Sequence, residues 1–200
     1  MVSTLMIKLY CVNVNSMTKE EIDSLSSARK EKASRYMFEK DRKLSLAAGI
    51  AFARGLKEYG LKESKVKISY SDHGKPHLID YPDIHFNLSH SGEMAIAVFS
   101  DNEVGCDIEK IRHPNMKVID FSFSDQEKAI INDCNDPNKE FTKIWTFKEA
   151  YSKMVGIGLS SNLKEIDSVE ITRRKICDFS YNYLENYLIC ICECKASSNH

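Results

Sequence analysis

Twice along this 200-residue chain, a stretch with helical periodicity gives way to a cluster of short strand-like runs. In the first pass, LMIKLYCVNV over residues 5 to 14 reads as a strand from its β-branched and apolar content. Thr18 and Glu21 have capping-box spacing and predict a helix that runs on into SSARKEKASRYMF. Leu46, Ile50, Ala53 and Leu56 then keep a helical repeat from about Lys40 to Tyr59, with Gly60 as its stop. From Lys65 the texture changes: KVKISY, IHFNLS, MAIAVFS and EVGCDIEKI are separated by the turn-formers DHGKP, YPD, SHSG and SDN. After His113-Pro114 the pattern begins again. Ser124 and Glu127 form a second capping box, a longer helix is predicted over roughly Glu140 to Met154 behind the Pro137 turn, and DSVEITRR, KICDFSYN and NYLICICECK read as three strands. Helices followed by strands, twice over and with no low-complexity linker, point to an α+β fold of two similar halves, residues 1–111 and 112–200.

With 42% hydrophobic and 28% charged residues the chain has the balance of a folded soluble protein. Its 28 Lys and Arg against 29 Asp and Glu exclude a polyanion binder that works through bulk field, so no nucleic-acid partner is expected and any phosphate must be held by a local cluster. No basic leader precedes an apolar run, and no stretch approaches the roughly 18 apolar residues of a membrane span, so a cytoplasmic protein without membrane contact is expected. The seven cysteines are odd in number and contain no C-x-x-C pair, which argues for reduced thiols over a disulfide framework or a zinc ribbon. Cys190, Cys192 and Cys194 alternate on one strand face, where core packing is favoured over a soft-metal site.

Chemistry gathers first on EVGCDIEKI. Residues i and i+2 of a strand share a face, so Asp107 and Glu109 present two carboxylates together while Cys106 and Ile108 turn to the core. Such a pair alone is most often a solvated strand face, but two hard oxygen donors also suit Mg²⁺. In the helical run WTFKEAYSK, Glu149 and Lys153 stand four apart, the spacing either of a surface ion pair or of a general base beside a leaving-group stabiliser. IHFNLSHSG is a strand entering a turn where Ser hydroxyls, imidazole and backbone amides can meet an anion. Gly74-Lys75-Pro76 fixes a turn carrying a mobile point charge, and Arg29, Lys32 and Arg35 add cations on a helix face that would ordinarily be solvated.

Taken together, GKP at 74–76, FNLSHS at 86–91, GCDIE at 105–109 and WTFKEAYSK at 145–153 resemble, in order and spacing, the Sfp-like 4'-phosphopantetheinyl transferases. FSDQE at 123–127 is similar to that family as well. The resemblance implies a pseudo-twofold monomer with coenzyme A in the cleft between the halves. It implies Mg²⁺, or Mn²⁺ as another hard octahedral ion, held by Asp107, Glu109 and Glu149. Lys75, Ser89 and His90 would contact coenzyme A phosphates, joined by Lys153; Arg29 and Lys32 would lie near the 3'-phosphate, and Asp41 and Ser45 in the stretch lining the nucleotide pocket. Glu149 would be the base and Lys153 the group that stabilises departing 3',5'-ADP. The expected acceptor is a serine of an apo acyl or peptidyl carrier protein serving peptide, polyketide or fatty acid synthesis. That carrier is expected to be a small acidic helical protein, and Met116, Phe121 and Phe123 are candidates for its docking surface, though core packing is the commoner fate of such residues. Two other readings use the same residues: a magnesium-dependent enzyme acting on another nucleotide diphosphate, which lacks a G-x-x-x-x-G-K-[ST] loop here, and a catalytically idle module that binds coenzyme A or docks on a synthetase.

Overall fold

The computed structural model describes residues 7–158 and 163–195. In the first half, strand β1 (Lys8–Asn13) leads to helices α1 (Lys19–Ser24), α2 (Ser27–Ser34) and α3 (Glu39–Glu58), then to strands β2 (Ile68–Tyr70), β3 (Pro76–Leu78), β4 (His85–Ser91) and β5 (Met94–Ser100). Positions 5 and 6 of the expected first strand lie outside the described residues. The helix expected to continue from Thr18 through SSARKEKASRYMF is broken. Thr18 closes its capping box with Glu21, but Leu25 is extended, and Ser26 opens α2 by accepting from the N–H of Arg29. What holds the break is Glu63, whose carboxylate accepts from the Ser26 N–H (2.7 Å) and hydroxyl (3.0 Å), a tertiary bond that helix continuation would forfeit.

The second half comprises β6 (Val104–Lys110), α4 (Met116–Ser122), α5 (Asp125–Asp133), α6 (Pro137–Val155), α7 (Ser168–Arg174), β7 (Cys177–Leu184) and β8 (Tyr187–Cys194). DSVEITRR, expected as a strand, is the helix α7. Its β-branched Val169, Ile171 and Thr172 look strand-like, but Asp167 caps the first turn by accepting from the N–H of Val169 and Glu170, and Glu170 pairs with Arg173 one turn on.

Two three-stranded antiparallel sheets, in order β1-β5-β4 and β6-β8-β7, carry the same topology: a leading strand, helices, a long helix, then a hairpin whose second strand takes the centre. β6, which precedes the expected seam at residue 111, is hydrogen-bonded to β8 and belongs to the second sheet. β2 and β3 form a separate ribbon.

The layers run helix, sheet, sheet, helix. α3 packs on one face of the first sheet through Ala47, Ile50, Ala51, Phe52 and Leu56, against Ala95, Ala97 and Phe99 of β5. The other face of β5, Met94, Ile96 and Val98, meets Cys106 and Ile108 of β6 and Ile189 and Ile191 of β8. Behind β8, Cys190 and Cys192 face Phe147, Ala150 and Met154 of α6. These cysteines are fully buried core thiols, as their period-two spacing requires. A strand apolar on both faces is stable only between two layers, each fully buried Ile, Val or Phe contributing roughly 1.5–3 kcal/mol. β5 and β8 are therefore the fixed planes to which each half's working edge is attached.

Candidate active site

The edge strands β4 and β6 lie side by side where the sheets meet, and side chains join them in place of a backbone ladder. Asn87 Oδ1 accepts from the Cys106 N–H (3.1 Å), Ser89 Oγ donates to Asp107 Oδ1 (2.7 Å), and Ser91 Oγ donates to Glu109 Oε2 (2.7 Å). Period-two spacing on β4 thus serves period-two spacing on β6. The hydroxyls of the FNLSHS run orient the two carboxylates.

α6 supplies the rest. Gly105 allows its approach: a Cβ there would stand 2.1 Å from the Ala150 carbonyl oxygen and 2.2 Å from the Met154 nitrogen, so the strand touches the helix backbone itself. At that distance Lys153 Nζ reaches Asp107 Oδ1 (2.6 Å), donates to Ser89 Oγ (3.1 Å) and stands 3.7 Å from Glu149 Oε2. The Glu149–Lys153 spacing is therefore no surface ion pair. Glu149 is buried.

The electrostatics follow from this crowding. Burial, then the charges of Asp107 and Glu109, push the Glu149 carboxyl up to about 7 against the pull of Lys153. Glu109 is also raised, by burial first and then by Asp107, although the Ser91 hydrogen bond opposes it. Lys153 is held above its ordinary value by Asp107 and Glu149, which outweigh the burial that works against its charge.

These groups line a cleft of about 380 Å³ together with Arg29 and Lys32 of α2, Ser45 of α3, and Ser89 and His90 of β4. Arg29 reaches it across Gly49, where a Cβ would press at 3.0 Å on the arginine stem, and Glu63 steadies the guanidinium at 3.6 Å. Asp41, in the first turn of α3, is outside this lining. Lys75 is outside it as well. Its ammonium ion-pairs with Glu103 and donates to the Met154 carbonyl at 2.5 Å, and it lines an adjoining cleft of about 320 Å³ that shares Leu88 and Lys153 with the first. Of the apolar residues singled out for docking, Met116 and Phe121 are exposed, whereas Phe123 is wholly buried and stacks on Phe141.

Asp107 Oδ2 is buried and has no hydrogen-bond partner, an acceptor that a cation would satisfy. Three carboxyl groups, Asp107, Glu109 and Glu149, line the cleft together, and the donors are all hard oxygens. Among the described residues no three acidic, imidazole or thiol groups already stand in gripping distance of one point. The donor chemistry fits a hard divalent ion, while Asp107 and Glu149 rest on Lys153 and Glu109 on Ser91.

Two family models cover almost all of this architecture. One described as the 4'-phosphopantetheinyl transferase superfamily matches residues 103–195, and one described as 4'-phosphopantetheinyl transferase, N-terminal, matches residues 13–101. The 4'-phosphopantetheinyl transferase Ffp of Bacillus subtilis is 30% identical over 161 residues, which are 76% of this chain and 72% of that protein. The chain belongs to the 4'-phosphopantetheinyl transferase superfamily. Sfp of Bacillus subtilis strain 168 is 31% identical over 139 residues, 68% of this chain and 62% of that transferase, so the chain spans about two thirds of the length of these relatives. A solved holo-[acyl-carrier-protein] synthase of Thermotoga maritima matches 50% of this chain and 67% of its own at 18% identity and a TM-score of 0.32. The two family models divide between residues 101 and 103, in the turn between β5 and β6 where the topology of this transferase starts its second round.

Four contributors to the transferase cleft carry no sequence signal of their own. Tyr36, Ala48 and Leu88 line it as ordinary apolar residues, and Glu63 acts from behind Arg29. Ser91 could have been singled out, because it continues the alternation of Asn87 and Ser89.

Proposed function

We propose that this transferase moves the 4'-phosphopantetheine arm of coenzyme A onto a serine of an apo acyl or peptidyl carrier protein, releasing 3',5'-ADP. The observation that carries the reading is the convergence of Asp107, Glu109, Glu149 and Lys153 with the cations Arg29 and Lys32 on one cleft, in a chain of this family. Asp107, Glu109 and Glu149 would hold Mg²⁺ or Mn²⁺, and what the ion supplies when bound is neutralisation of the diphosphate oxygens.

The chain's own groups account for the proton traffic. A serine hydroxyl is a poor nucleophile at neutral pH, and Glu149 is the carboxylate placed to take its proton as the Oγ–P bond forms. The bond from that phosphorus to the oxygen of 3',5'-ADP breaks, and Lys153 meets the charge that appears there by ion pairing or by giving up a proton. Arg29 and Lys32 would hold phosphate from α2, with Ser45, Ser89 and His90 lining the same cleft. On this reading Lys75 and Asp41 act at the margin, Lys75 from the adjoining cleft. The reading is of a monomer, and the buried thiols Cys106, Cys190 and Cys192 suit the reducing cytoplasm. The pathways served would be nonribosomal peptide, polyketide or fatty acid synthesis.

The test is incubation with coenzyme A, Mg²⁺ and a set of apo carrier proteins, followed by intact-mass spectrometry for the added arm. Glu149→Gln and Asp107→Ala are each expected to lower transfer by a factor of a thousand or more, on the order of 4 kcal/mol of barrier. Near wild-type turnover by either folded variant refutes its role, and no modified carrier under any condition refutes the activity.

A further inference from the structure

Lys148, the neighbour of Glu149 in α6, is fully buried and points away from the cleft. Its ammonium meets Glu127 Oε2 at 2.7 Å and donates to the carbonyls of Leu163 (3.0 Å) and Ile166, which uses all three of its protons. Glu127, equally buried, accepts from the Ser124 N–H (2.8 Å) through Oε2, and from the Ser168 N–H (2.8 Å) and hydroxyl (2.7 Å) through Oε1. The capping glutamate of α5, a lysine of α6 and the chain entering α7 thus form one saturated knot.

A buried ion pair is poor value as pure stability, since packed apolar residues of similar volume do as well or better. What it supplies is direction. The knot grips α6 at residue 148, and on another side of the same turns Gly105 lies against Ala150 and Met154. Glu149 and Lys153 emerge between these two contacts, which oppose rotation of α6 about its axis where the reacting groups leave it.

We infer that Lys148 and Glu127 are positioning residues for phosphopantetheinyl transfer: their buried pair sets the rotation of α6 that aims Glu149 and Lys153 into the cleft. This rests on the transfer activity proposed above. The coenzyme's other contacts, Arg29, Lys32 and Ser45, stand on α2 and α3 and are independent of the knot.

The experiment compares wild type with the double variant Glu127→Leu/Lys148→Met, in which neither charge is left unpaired, and with Ser168→Ala, which removes one hydrogen bond to Glu127. Transfer by the wild type is measured first; its absence would sink the activity and leave the positions of α6 to be judged by structure determination of the variants. With wild-type transfer in hand, the double variant is expected to fold and to lose ten- to hundredfold in kcat, the scale of an ångström of misplacement, while KM and Kd for coenzyme A stay within threefold. Ser168→Ala is expected to lose severalfold in kcat with the same unchanged affinity. A folded double variant with wild-type kcat overturns the inference. So does an unfolded double variant accompanied by wild-type kcat in Ser168→Ala, because the knot would then serve the fold alone. In the first case above, an unchanged direction of Glu149 in the double variant's structure overturns it as well.

Discussion

Burial and two neighbouring carboxylates hold the Glu149 carboxyl up to about 7, against an ordinary value of 4.5, so the folded protein keeps this proton where the unfolded chain has lost it. Between those values unfolding releases a proton, and the contribution of this group to stability falls as pH rises through the window. Above it the folded state carries the full penalty, on the order of 3 kcal/mol. Glu149→Gln, with coenzyme and divalent ions removed, is therefore expected to melt near the wild type at pH 5 and several degrees above it at pH 8, by differential scanning calorimetry. An equal Tm difference at both pH values would contradict the shift. Individual residues of the site were legible where neighbours in sequence remain neighbours in space: Asp107 with Glu109 on a strand, Glu149 with Lys153 on a helix. They were illegible where partners are distant. Nothing near Arg29 announces Glu63, and Lys75 offers no local sign that Glu103 and the Met154 carbonyl have taken its ammonium.

Among the elements, α6 and β6 depend on each other most directly. Gly105→Ala would drive a methyl into the Ala150 carbonyl and the Met154 amide, neither of which can swing aside as a side chain end would. The expected result is a loss of about 1–3 kcal/mol in urea denaturation together with severely reduced transfer, since any accommodation moves Lys153 off Asp107. Retention of wild-type stability and turnover would show that this close approach is not needed. The long helices and the capping boxes at Thr18 and Ser124 could be read from sequence because local hydrogen bonds decide them. α7 was misread because its β-branched residues mimic strand alternation, while the deciding signal, Asp167 three residues before Glu170, is a short cap pattern. The break at Leu25 escaped for a different reason: its stabilising partner lies on Glu63, far along the chain.

Across the whole molecule, the sheets share the core between β5 and β8, so neither half owns a complete interior. Unfolding is expected to be a single transition. The only tryptophan, Trp145, reports on the second half, and its fluorescence should track far-UV circular dichroism through the same urea midpoint. A segment of residues 103–195 alone would expose Cys106, Ile108, Ile189 and Ile191 to water, and is expected to show no cooperative melt. Separate midpoints, or a cooperative melt of that segment, would mean the halves are autonomous. The twofold repeat was visible in sequence as a rhythm of element types, but its starting point was not. Only strand pairing reveals that β6, sequential to the first half, opens the second.

Because β4 and β6 are stitched by an amide and two hydroxyls, the alignment of Asp107 and Glu109 depends on the rotamers of Asn87, Ser89 and Ser91. A backbone ladder would register its strands in whole-residue steps; this stitching allows gradation. Drift at those three positions would retune catalytic efficiency in small increments, leaving the layered scaffold untouched.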